Sequence, residues 1–177
     1  MGNLRIFTIP NLLTVLRLIF LWPALKYLKS GDEYIALFFI LMAGATDSLD
    51  GYIARKYNQI SDFGKALDPV VDKIFTLSII VFLVFSPDYS LPGWFLIFLI
   101  LREMLLVTAG FYLITAKKTV IQAQKPGKYS AFINGVLVIL YILHFIYVDY
   151  LLIAAVAATL YSTAVYAKVF FRKVSEK

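Results

Sequence analysis

The chain of 177 residues contains no cysteine. That excludes a disulfide scaffold, a thiolate metal site and a cysteine nucleophile, without identifying a compartment. Charge is scarce too. Only 16% of residues are Asp, Glu, Lys or Arg, against about 25% in a soluble domain. No low-complexity tract, internal repeat or second domain is visible, so 1–177 reads as one domain. Apolar residues fill the space, at 61% of the chain and a mean hydropathy of +0.81. A small domain leaves too much surface in water to hide that fraction. Disorder and an ordinary soluble enzyme are excluded, which leaves an all-α integral membrane protein.

A membrane-crossing helix needs about 20 mostly apolar residues. Six windows qualify: Pro10–Leu28, Tyr34–Ala54, Ala66–Ser86, Leu91–Ala116, Tyr129–Val148 and Tyr150–Ala167. The first is too long for a signal peptide and has no cleavage signature. Residues 1–9 mix Asn3 and Arg5 with apolar side chains, which suits a short interfacial segment. Thr8 or Asn11 is positioned to cap the first helix, with Pro10 near its start.

The net charge of +6 is unevenly spread. One set of loop ends holds Arg5, Arg55, Lys56, Lys65, Lys117, Lys118, Lys125, Lys128, Lys168, Arg172, Lys173 and Lys177. The opposite set holds only Lys26 and Lys29. This asymmetry predicts six spans with both termini in the cytoplasm. It also argues against nucleic acid as a partner, because the cations scatter over several segments without a recognition module. Trp22, Trp94, Tyr27, Tyr34, Tyr147 and Tyr150 fit an outer aromatic belt, and His144 falls at that end in a packing role. Ala154 and Ala158 have small-residue spacing for close helix packing.

Some charges fall inside the spans: Arg17, Asp47, Asp50, Asp68, Asp72, Lys73, Arg102 and Glu103. Each costs at least about 2.5–3.5 kcal/mol at bilayer depth, so such residues face one another or a polar cavity. Asp47 and Asp50 are three apart, and Gly64, Asp68 and Asp72 are each four apart, so each set shares a helical face. Counting outward from a turn near Asn58–Gln59, Asp50 lies nine residues back and Asp68 nine forward, at similar depth. Four facing carboxylates raise one another's pKa unless protons or cations compensate them. Carboxylate oxygens suit magnesium, manganese or calcium, and two such ions form the clamp used for displacement at phosphorus. Gly51, Ala54 and Gly64 leave room for a bulky ligand. A plainer reading makes Asp68 a helix N-cap ahead of Pro69.

The stretch reads Asp47-x-x-Asp50-Gly51-x-x-Ala54-Arg55, eight residues, then Gly64-x-x-x-Asp68-x-x-x-Asp72. It resembles the signature of the CDP-alcohol phosphotransferase family at all eight positions. The resemblance implies a membrane enzyme that uses two magnesium or manganese ions and displaces CMP from a CDP-linked donor with an alcohol. It implies Asp47, Asp50, Asp68 and Asp72 as metal ligands and Asp72 as the catalytic base. It implies donor binding by Gly51, Ala54, Gly64 and Arg55, with Ser61 in the intervening turn. The donor expected is CDP-diacylglycerol, the site facing the cytoplasm and the assembly a homodimer.

The opening Ile9–Arg17, which includes Asn11 and Thr14, is similar to the start of bacterial phosphatidylglycerophosphate synthases in that family. Arg102-Glu103-Met104 and Gly127-Lys128 are similar to them as well. The likeness implies glycerol 3-phosphate as acceptor, with Asn11 and Thr14 on the donor side. A phosphorylated acceptor needs cations, and Arg102, Lys125 and Lys128 are the candidates. For the two lysines, positive-inside topology is an equal reading. Arg102 has an ion pair as its alternative, although neighbouring Glu103 points another way on a helix. Arg17 is open between a donor phosphate and an aspartate. Inositol phosphate and serine are rival acceptors, and an ion-coupled transporter is the rival class.

Overall fold

The computed structural model describes residues 8–56, 62–119 and 124–175, with the side chains of 9, 47, 48, 50–55, 62, 63, 65 and 66 outside that description. The elements are α1 (Ile9–Ser30), α2 (Glu33–Lys56), α3 (Asp62–Phe85), α4 (Gly93–Lys117), α5 (Lys125–Ile142) and α6 (Val148–Ser175). Among the described residues, α1, α4 and α6 are long and apolar enough to cross a membrane. The shorter apolar stretch Glu33–Thr46 belongs to α2. The chain divides into two compact units, Met1–Leu83 and Val84–Lys177.

In the first unit, Thr8 is the cap of α1. Its hydroxyl accepts from the Asn11 N–H at 3.3 Å, and Pro10 sits in the first turn, where a missing N–H costs nothing. Gly31 ends the helix at φ +78, a left-handed conformation that glycine adopts without Cβ strain. The chain then reverses into α2. Ala24, Ala36 and Ala43 are fully buried, so the antiparallel backbones approach closely. Phe39 stacks on Tyr27 at 5.9 Å and tilts against Phe20 at 6.1 Å.

The second unit is organised on α6. Contacts run from Gln124 to Tyr166 and from Ser130 and Asn134 to Thr159, so α5 and α6 are antiparallel. Arg102 reaches Ser162 and Tyr112 meets Phe170, so α4 and α6 are parallel. This topology gathers Lys117, Lys118, Lys125, Lys128, Lys168, Arg172 and Lys173 at one end of the unit. The buried small residue of α6 is Ala155; Ala154 faces outward, so the small-residue contact falls one position later than the sequence spacing suggested.

Helix α5 stops at Ile142, six residues short of the apolar window. His144 adopts φ +50 just beyond it and stacks on the Tyr89 ring at 5.1 Å, which gives it the packing role expected. The outer surface of the helices is apolar. Of the expected belt residues, Trp22, Tyr34, Trp94, Tyr147 and Tyr150 are exposed, while Tyr27 is half-buried and stacks on Phe39.

Candidate functional site

Helix α3 runs unbroken through Pro69. Asp68 therefore lies within the helix, nearly two turns from its start at Asp62, and is not an N-cap. The N-cap reading weighed only the Asp-Pro pair; seven residues of helix precede Pro69, and they carry Asp68 into the helix interior. One turn further on, Asp72 occupies the same face. Both aspartates meet α1. Thr14, fully buried, donates its hydroxyl to Asp68 Oδ1 at 2.5 Å and lies 3.1 Å from the Pro10 carbonyl. Arg17, only 2% exposed, brings Nη1 to 3.9 Å from Asp72 Oδ1, while the Asp72 side chain is 63% exposed. The i, i+3 spacing of Thr14 and Arg17 matches the i, i+4 spacing of the aspartates, so α1 and α3 run parallel here.

The backbone of α2 carries the other two aspartates. Counting equally in both directions from the Gly31–Asp32 turn sets Thr14 level with Leu49 and Arg17 level with Thr46. The helical turn holding Asp47 and Asp50 is thus at the depth of the α1 residues that hold Asp68 and Asp72. The side chains of Asp47, Asp50, Ala54 and Arg55, the surroundings of Gly51 and the whole of Ser61 lie outside the described residues. Asn11 and Gly64 are buried. Among the described residues, no three acidic or imidazole side chains converge. The chemistry of the α3 pair still fits hard divalent cations: its donors are carboxylate oxygens on one face, and the Asp72 carboxylate opens outward.

The second unit has its own buried polar seam. Arg102 pairs with Glu103, against the expectation that adjacent residues diverge; two long side chains can curl toward each other even when their Cα–Cβ bonds do not. Arg102 Nη2 also approaches Ser162 Oγ at 3.5 Å. Two arms of the guanidinium are thus engaged within the chain. Thr159 and Ser162 are fully buried on α6, and Ser130 and Asn134 bind Thr159 at 2.9 and 3.3 Å. Sequence reading missed these four. Their signal was polar residues recurring at helical spacing inside apolar segments. Lys125 and Lys128 lie in the first turn of α5 with exposed side chains. Gly127 between them has a steric reason: a Cβ there would fall 2.8 Å from the Tyr166 hydroxyl.

Comparison with known proteins decides the family. The model for CDP-alcohol phosphatidyltransferase matches residues 7–163, most of the chain and both units. The chain belongs to the CDP-alcohol phosphatidyltransferase family. Among its relatives is a cardiolipin synthase (CMP-forming) of Streptomyces coelicolor, 41% identical over 113 residues, or 60% of this chain and 52% of that protein. The CDP-diacylglycerol–glycerol-3-phosphate 3-phosphatidyltransferase of Aquifex aeolicus is 38% identical over 128 residues, 70% of this chain and 67% of that one. The human cardiolipin synthase (CMP-forming) is 43% identical over 107 residues, 59% of this chain and 35% of that one. The chain therefore spans about half the length of the Streptomyces relative and about a third of the human one.

As a CDP-alcohol phosphatidyltransferase family member with three helices, among the described residues, long and apolar enough to cross a membrane, the chain is a membrane protein. The matched region includes the complete aspartate motif and the α1 residues that bind Asp68 and Asp72.

Proposed function

We propose that the protein transfers a phosphatidyl group from CDP-diacylglycerol to glycerol 3-phosphate and releases CMP. The observation that carries this reading is the pairing of Asp68 and Asp72 with Thr14 and Arg17 inside a complete family motif. The Aquifex relative, named for this reaction, supports the acceptor.

The acceptor hydroxyl gives its proton to Asp72, a role that the exposure of its carboxylate supports. Its oxygen bonds to the phosphatidyl phosphorus as the bond from that phosphorus to the CMP oxygen breaks, and CMP leaves with the electron pair. Two magnesium or manganese ions held by Asp47, Asp50, Asp68 and Asp72 would neutralise the phosphate oxygens. Thr14 donates to Asp68, and the Arg17 guanidinium offers charge compensation to Asp72 from 3.9 Å. Asn11, Gly51, Ala54, Arg55, Ser61 and Gly64 form the donor side, and Arg102, Lys125 and Lys128 the acceptor side.

The fold reading that goes with this is one domain over 1–177 with six spans and a short interfacial stretch at 1–9. Both termini and the site face the cytoplasm, and the protein is a homodimer. The clustering of seven basic residues at one end of the second unit supports the orientation, because cytoplasmic loops retain Lys and Arg.

One observation favours a second acceptor. Glu103 already balances Arg102, which suits a singly charged phosphodiester better than a phosphate dianion. Phosphatidylglycerol is such an acceptor and would yield cardiolipin, the product named in the Streptomyces and human relatives. The test is CMP release from CDP-diacylglycerol by the purified protein in detergent with magnesium. Glycerol 3-phosphate, phosphatidylglycerol, inositol phosphate and serine are supplied in turn. Release with glycerol 3-phosphate supports the first reading, and release with phosphatidylglycerol alone supports the second. Release only with inositol phosphate or serine, or none at all, contradicts both.

A further inference from the structure

The cations at one end of the second unit come from three helices. Lys117 closes α4 and Lys118 caps it, Lys125 and Lys128 stand in the first turn of α5, and Lys168, Arg172 and Lys173 lie in the last turns of α6. The described acids of the unit are elsewhere. Asp88 and Asp149 belong to the opposite ends of these helices, and Glu103 lies midway along α4. Lys118, Lys125, Lys128 and Lys168 are exposed and make no ion pair among the described residues. Lys125 and Lys128 are three apart on one face, at the positive end of the α5 dipole, so neither each other nor the helix compensates them.

Large apolar side chains are exposed right beside these cations. Tyr129 and Phe132, just after Lys128, are 67% and 71% exposed, and Phe171, between Lys168 and Arg172, is 67% exposed. In a membrane protein such a surface belongs in hydrocarbon, and lysine and arginine stems run along it to carry their charge to headgroup level. The cations also splay apart. Tyr166 faces α5, since its hydroxyl accepts from the Gln124 N–H at 3.1 Å. Lys168, two residues further, is turned about 200° around α6 and so lies on the opposite face. A small soluble anion needs cations that converge on it. A lipid surface presents phosphates all around the helices, and splayed cations suit it.

We infer that this end of the second unit is a collar for anionic phospholipids, its cations contacting their headgroup phosphates and its exposed aromatic side chains their acyl chains. Each cation near such a surface strengthens the attraction, and zwitterionic lipid offers no equal gain. The inference goes beyond the orientation of the chain. Orientation says on which side the basic segments stay, whereas the collar says which lipids surround the folded protein. It does not rest on the proposed transfer, because it concerns the lipid shell of the second unit alone.

The test places the full chain in phosphatidylcholine bilayers doped with spin-labelled phosphatidic acid or spin-labelled phosphatidylcholine, without donor or acceptor. The motionally restricted fraction of each label gives their relative association with the protein. Phosphatidic acid should be preferred by about three- to fivefold, and high salt should shrink that preference. The triple variant Lys118→Gln, Lys168→Gln, Arg172→Gln should bring the ratio close to one. The charge-keeping set Lys118→Arg, Lys168→Arg, Arg172→Lys should hold it, and so should Lys26→Gln with Lys29→Gln in the last two turns of α1. Equal association of the two lipids with the wild type overturns the collar. So does a preference that the triple glutamine variant keeps, or one that the charge-keeping set loses as well, which marks a packing role. Displacement of phosphatidic acid by excess inorganic phosphate also overturns it, since the cations would then converge on a soluble anion. CMP release enters none of these readings, so failure of the proposed function and failure of the collar are separate results.

Discussion

The Thr14 hydroxyl donates to Asp68 across 54 residues of sequence, joining α1 to the aspartate helix at 2.5 Å. Thr14 is fully buried, so nothing in the solvent competes for that proton. A charge-assisted bond of this kind contributes about 1.5–3 kcal/mol. Thr14→Val keeps the side-chain shape and removes the donor. Turnover should fall by about one to two orders of magnitude from that loss, and Thr14→Ser should recover most of it. Steady-state CMP release on the two variants measures this.

Asp72 is predicted to act on the chemical step. Asp72→Asn keeps the side-chain volume and removes the proton acceptor, so kcat should drop by about two orders of magnitude or more. The KM for CDP-diacylglycerol should change little. A variant with weakened donor binding and normal turnover at saturation would give Asp72 a binding role instead.

The reach of sequence reading here was set by which interactions have a local signature. Six apolar windows located the six described helices, because burying backbone in an apolar setting leaves helix as the available solution, but α6 runs to Ser175, eight residues past its window, since its last turns are charged and a hydropathy window stops where the charge begins. The end of α5 escaped, since the residues after Ile142 are as apolar as those before and only the backbone turn at His144 separates them. Thr8 was legible as a cap because the residue types that cap are few. The aspartate motif was legible from spacing alone. Thr14 lies 54 residues from Asp68 and no periodicity links the two, while Arg17, a cation inside an apolar segment, was open to pairing with an aspartate without the spacing saying which one. The Arg102–Glu103 pair was discounted because backbone direction was taken to settle where long side chains end.

Glu103 is predicted to tune which acceptor Arg102 admits. Glu103→Gln removes the balancing charge and should lower the KM for glycerol 3-phosphate more than that for phosphatidylglycerol, because the dianion gains more from an uncompensated guanidinium. Arg102→Lys keeps charge but loses the planar fork, and should raise the acceptor KM; Arg102→Ala should raise it further. Donor KM should be unaffected in each. A common shift in every KM would point to a structural ion pair.

Gly127 is predicted to matter for stability. Gly127→Ala drives the new methyl into the Tyr166 ring edge and displaces the hydroxyl that accepts from the Gln124 N–H at 3.1 Å. The expected cost is about 1–2 kcal/mol, read as a lower melting temperature in detergent. Adding Tyr166→Phe to that variant relieves the closest approach and should restore part of the loss. Independent, additive effects of the two substitutions would mean that they do not share this contact.

The central claim is that the four motif aspartates hold the divalent cations on which transfer depends. The most direct measurement is CMP release from CDP-diacylglycerol by the purified protein, first with magnesium and an acceptor, then with excess chelator, then with magnesium or manganese restored. Release should fall to background in chelator and return with the metal, and Asp68→Asn should stay at background throughout while remaining folded in detergent. Undiminished release in excess chelator would contradict the account.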